Sequence, residues 1–186
     1  VVRVLPNGQI LVGGNFSGLN TATRPGIARL NANGSVDSSY LPSLSSQNFS
    51  PSVTEIIVQS SGKVLVAGNF DQVGGINRKS FALLNSDGTL DVAFNPTITG
   101  IIHVLEQLQN GNILVGGTFT SINSTPRNNL AILLPTGDLD VSFNTGTTMT
   151  PAISDADERP DGRITIGYNL TLKVLNANGS TYSDLP

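Results

Sequence analysis

Short apolar runs, each closed by glycine, asparagine, aspartate or serine, set the rhythm of this chain. The clearest set is TEIIVQ (54–59), KVLVAGNF (63–70), SFALLN (80–85) and TLDVAF (89–94), with SSGK and SDG at two of the joints. The runs are rich in β-branched and aliphatic residues and partly alternate, which predicts half-buried strands. No window of helical length carries a 3.6-residue period. Glycine at the joints supplies positive φ without steric cost, and the Asn or Asp before it bonds its own backbone.

This pattern recurs. Gly8, Gly62, Gly111 and Gly162 mark the first turn at steps of 54, 49 and 51 residues. A second turn glycine follows at Gly34, Gly88, Gly137 and Gly179. The two are 26 residues apart in the first three units and 17 apart in the fourth. Four short strands per unit of about 50 residues is the plan of a propeller blade. The expectation is an all-β protein: a β-propeller or partial propeller of four antiparallel four-stranded blades, the fourth degenerate. It is read as one domain, 1–186, with blades at about 1–48, 49–97, 98–150 and 151–186.

The pattern NGxILVGGxFxxxNxxxRxxxAxLxxxGxLDxxFN also resembles the delta-60 repeat, a bacterial β-propeller-like repeat of large secreted or surface proteins. The likeness covers Val1 to Asn144 through GGNF, the arginine and the endings GSVDSSY, GTLDVAF and GDLDVSF. The fourth unit departs from it, with Tyr182 where the aspartate of the ending should stand. The resemblance implies fold more than activity.

ILVGGNF (10–16) has the look of a phosphate-cradling turn after a strand, but such a loop occurs once and opens a helix. Here it returns as VLVAGNF and ILVGGTF with no helical pattern behind it. Gly14, Gly68 and Gly117 are therefore expected where backbones approach closely, and Phe16, Phe70 and Phe119 in the seams between blades. Arg24, Arg78 and Arg127 recur four residues before an alanine, and Asp37, Asp91 and Asp140 three residues after the second glycine. Fork-shaped Arg–carboxylate pairs tying the loops are the expected use of both. Asn31, Asn33 and Asp37, with Asn85, Asp87 and Asp91, also alternate oxygens before a glycine as in a calcium loop. No bidentate glutamate completes that set, and PTGDLD puts Pro135 and Thr136 at the same place, so an Asx-type hairpin explains the residues as well. No other cofactor is expected.

Composition narrows the role. Only 12% of residues are charged, three are lysines and the net charge is −3, which argues against nucleic-acid partners. No apolar run approaches the roughly 20 residues of a membrane-spanning helix, so no membrane insertion is expected. Cysteine is absent, removing thiol chemistry and disulfides. A chain opening on Val1, with no signal peptide, reads as processed or as part of a longer product. Six Asn-x-Ser/Thr sequons, at Asn15, Asn33, Asn48, Asn123, Asn169 and Asn178, match what so Asn- and Ser-rich a chain produces. Catalytic material is thin: one histidine, His103, in a strand-like segment with Glu106, and the charged run Asp155, Asp157, Glu158, Arg159, Asp161, Arg163, which reads as a solvated rim.

Variation lies in the connectors. Asp37 to Gly62 spans 25 residues, Asp91 to Gly111 spans 20 and Asp140 to Gly162 spans 22. The longest connector carries Tyr40, Leu41, Leu44 and Phe49, and Tyr40, Leu44 and Phe49 are the candidate binding residues. Packing on the blade edge accounts for them equally. The expected function is a non-enzymatic binding or structural module of an extracellular, cell-surface, filament or virion fibre protein. It would meet a protein or glycan surface, or assemble with itself through blade edges. The alternatives are a carbohydrate-binding propeller lectin and a propeller-type glycosidase or lyase.

Overall fold

The computed structural model describes residues 1–19, 22–146 and 152–182. Among them there is no helix. Four sheets repeat one plan, an antiparallel meander with the second strand in the middle. Their strands are Val2–Val4, Ile10–Gly13 and Ile27–Leu30; Ser52–Val58, Val64–Asn69 and Phe81–Leu84; Ile98–Gln107, Ile113–Ile122 and Leu130–Leu133; and Asp155–Glu158, Ile164–Tyr168 and Thr171–Leu175.

Among the described residues the expected fourth strand shrinks to a single bridge in every unit: Leu30–Val36, Leu84–Leu90, Leu133–Leu139 and Leu175–Thr181. In the first three units an Asx turn explains why. The carboxylates of Asp37, Asp91 and Asp140 accept the backbone N–H two residues on, at 2.9, 3.0 and 2.9 Å. That bond bends the chain out of the ladder after one pair.

The shorter spacing in the fourth unit also has a local cause. The long middle loop is replaced by a two-residue turn, Asn169-Leu170, at φ 44° and 61°, so Tyr168 pairs directly with Thr171. Two positive φ values match the twist of a tight hairpin.

The chain divides into two compact units, Val1–Asn95 and Pro96–Pro186, each holding two of the four meander sheets. The expected boundary at 150/151 lies outside the described residues. In the first unit one core is shared by both sheets: Leu11, Ile27 and Tyr40 from the first pack with Val53, Ile56 and Phe70 from the second. In the second unit Leu114, Leu130 and Phe143 pack with Ile153, Ile164 and Ile166. Each such side chain contributes about 1.5–3 kcal/mol when fully buried, so neither sheet of a pair completes its core alone.

Glycine makes these seams possible. A Cβ on Gly13 would stand 2.8 Å from Val53, and one on Gly116 would stand 3.0 Å from Ile153. Across the same seams, Val53 N–H donates to the Gly14 carbonyl and Ile153 N–H to the Gly117 carbonyl, both at 3.2 Å.

Candidate functional site

The long connector owes its length to an insertion. Leu44 pairs with Val73 just as Ile98 pairs with Ile122, and Ser52 pairs with Asn69 as Ile101 pairs with Thr118. Between those anchors lie seven residues in the first sequence and two in the second, so five residues, 46–50, are extra. The shorter connector continues as one strand, Ile98–Gln107. The longer one leaves the sheet and returns. Ser46 Oγ donates to Asp71 at 2.5 Å and its neighbour's carbonyl, Ser45 O, accepts Asp71 N–H at 3.0 Å, which fixes the base of this excursion.

Of the candidate binding residues, only Phe49 in the excursion is exposed, at 38%. Tyr40 and Leu44 are corrected to core residues: Tyr40 is 0% and Leu44 3% exposed, both in the shared core. Tyr40 closes its unit as Phe94 and Phe143 close theirs. The Tyr40 phenol lies buried without a hydrogen-bond partner, and burial raises its pKa. Leu41 remains exposed beside it.

The predicted Arg–Asp pairs are not made. Arg24, Arg78 and Arg127 each donate to the carbonyl of the preceding residue (Thr23, Asn77 and Pro126), and Arg78 also donates to Val92 O at 3.0 Å. The aspartates instead meet the residue after the hairpin glycine: Gln9 with Asp37 at 3.0 Å, Lys63 with Asp91 at 2.6 Å, Asn112 with Asp140 at 3.4 Å. Asp37 gains a second partner in Arg29, at 2.8 Å. Ser39, through its hydroxyl first, holds the Asp37 carboxyl down at about 2, with burial opposing and Arg29 adding. The sequence signal for this tie is a polar residue after each hairpin glycine, whose identity changes while its position does not.

The calcium-type loops are occupied by their own chain. Asn33 and Asp87 accept the N–H groups of Ser35 and Thr89, and Asn31 and Asn85 donate to the hydroxyls of those same residues. With Asp37 and Asp91 engaged as above, these oxygens form Asx turns rather than a converging set of free ligands.

A Cβ on Gly68 or Gly117 would run into the first strand of its own sheet, whereas one on Gly14 would meet, among the described residues, Phe16 alone, at 3.4 Å. Phe70 and Phe119 are buried; Phe16 is half-buried.

His103 is the bulged residue of its strand, in the position of Thr54 one repeat earlier. Its exposed ring lies 3.4 Å from Thr118 Oγ1. The Glu106 carboxylate accepts Glu158 N–H at 3.1 Å, and burial raises its pKa, with Asp157 and Glu158 adding to the rise. In the charged run Asp161 pairs with Arg163 at 2.5 Å and Glu158 accepts Gln109 N–H at 2.6 Å.

The three complete units, 5–40, 59–94 and 108–143, each match the family described as "Domain of unknown function (DUF5122) beta-propeller". The chain belongs to this family. The match covers more than half of the sequence and agrees with the resemblance carried by the GGNF and GxLDxxF segments. No curated protein matches the chain.

Proposed function

We propose that the chain is a non-enzymatic binding or structural module, built as four propeller blades with the fourth degenerate, in a surface, filament or virion fibre protein. The observation that carries this reading is the 46–50 excursion. It breaks the repeat, it is pinned at its base by Asp71, and it raises Phe49 from an otherwise periodic scaffold. Irregular loops on constant scaffolds are where partner contacts concentrate. The four-blade count is supported by one meander and one bridge recurring in all four sheets.

The recurring polar residues favour the same reading. The Asp, Asn and Arg side chains of each unit cap turns or tie loops, which leaves few for chemistry on a substrate. The lectin alternative in its per-blade form needs exposed aromatics at equivalent positions; Tyr40, Phe94 and Phe143 are 0%, 2% and 1% exposed. An extracellular or virion setting goes with this proposal.

Excision of 46–50 joins Ser45 to Pro51, as Thr99 joins Gly100 in the next repeat. The excised protein should keep its cooperative melt and lose capture of the native-source partner, as should Phe49→Ala in weaker form. Unchanged capture would move the function elsewhere.

A further inference from the structure

Two seams built from the same repeat positions end differently at the hairpin side. In the second unit, the seam is clamped. Glu106 accepts the Glu158 N–H, Glu158 accepts the Gln109 N–H, and Gln109 Nε2 donates to the Arg159 carbonyl at 3.2 Å. By the repeat steps, the matching positions in the first unit hold Arg3, Pro6, Val58 and Gln59. Arg3 has no acceptor for the Val58 N–H, and proline has neither an N–H nor a carboxamide to give and valine no carboxylate to receive, so none of the three bonds forms.

The seam that lacks the clamp is open. A cavity of about 570 Å³ lies there, between Leu5, Leu11, Val58 and Val64, with Gln59 and Arg29 on its wall. Volume and mixed lining both fall in the range of small-ligand sites. The Arg29 charge is already held by Asp37, so the wall favours a neutral guest. The Gln59 carbonyl accepts Gly62 N–H at 2.8 Å and nothing else among the described residues. In the clamped seam the matching Arg159 carbonyl takes both Gly162 N–H and the Gln109 carboxamide.

We infer that this cavity binds a neutral ligand presenting an amide on an apolar body, which supplies to Gln59 the hydrogen bond that Gln109 supplies to Arg159. The amide belongs to an acetamido sugar or to a glutamine or asparagine side chain of a peptide. The site is separate from the 46–50 excursion and does not depend on it.

The test is a methyl and amide NMR titration of the whole chain with N-acetylglucosamine, with acetyl-glutamine methylamide and with glucose as the control lacking an amide. Saturable shifts at Leu5, Val58, Val64 and Gln59 are expected with at least one amide probe. Glucose, which has neither the amide nor the acetyl methyl, should bind at least about tenfold more weakly. Response to the sugar alone assigns a glycan source, and response to the peptide alone a protein source. Pro6→Gln with Val58→Glu rebuilds two of the clamp's three bonds, the one to the Gln59 carbonyl included, and should abolish the shifts. Ser60→Arg, at the exposed mouth, should do so without touching the core. No saturable shift with either amide, equal response to glucose, or unaltered binding by Ser60→Arg would overturn the inference.

Discussion

The guanidinium of Arg163 lies 4.0 Å over the ring of Tyr182, at the two positions where Lys63 and Asp91 make a 2.6 Å ion pair. The tie between the first turn and the last bridge is thus kept in the unit whose sequence departs most from the repeat, with cation–π attraction in place of charge pairing. Tyr182→Asp should be accepted with a change in stability within about 0.5 kcal/mol, and Lys63→Ala should cost less than about 1 kcal/mol because the lysine is partly solvated. Urea unfolding of the two variants checks both.

The glycines separate into two classes by what a methyl group would meet. On Gly68 a Cβ would fall 2.1 Å from the Ser52 carbonyl oxygen, and on Gly117 the same distance from that of Ile101. Gly14 has no such neighbour among the described residues. Gly68→Ala and Gly117→Ala should each lose about 1–3 kcal/mol, whereas Gly14→Ala should stay within about 0.5 kcal/mol in the same unfolding assay. Equal losses at all three positions would contradict the assignment.

Tyr40→Phe removes a buried hydroxyl that has no partner and installs the residue that Phe94 and Phe143 already use. An unpartnered buried polar group costs about 1–3 kcal/mol, so the variant should melt at the same or a higher temperature. A clear drop in Tm would mean that the phenol is bonded in solution.

Asp37 makes stability depend on pH. Its folded-state pKa of about 2 lies below the ordinary 3.8, so its contribution is complete above that ordinary value and is lost as pH falls toward 2. Asp37→Asn should flatten the fall in Tm between about pH 4 and pH 2 and lower the Tm at neutral pH.

Glu106 has the opposite sign. Burial raises its pKa, so the folded state binds that proton more tightly and gains stability as pH falls through the raised value. Glu106→Gln keeps an acceptor for Glu158 N–H without the charge. It should raise Tm at neutral pH, with the gain vanishing near pH 4 in a pH-resolved melt.

By itself the sequence determined the repeat, the strands, the turns and the family. These follow from local chemistry: apolar runs of strand length, glycines needing positive φ, and Asp-containing endings whose glycine stands 26 residues after the first turn glycine in three units. The recurring glycines Gly68 and Gly117 mark close backbone approaches, because an approach that recurs from unit to unit leaves a recurring residue. Only the tertiary structure decided which side chains meet. Arg78 and Asp91 share a period, yet Asp91 meets Lys63, because antiparallel pairing brings the residue after the hairpin glycine, not the loop arginine, alongside it. Tyr40 and Phe49 look alike in one polar connector; one is core and the other exposed because the strand resumes on either side of five inserted residues. The open seam at Pro6 and Val58 shows in neither residue alone, since a missing hydrogen bond is a property of the pair.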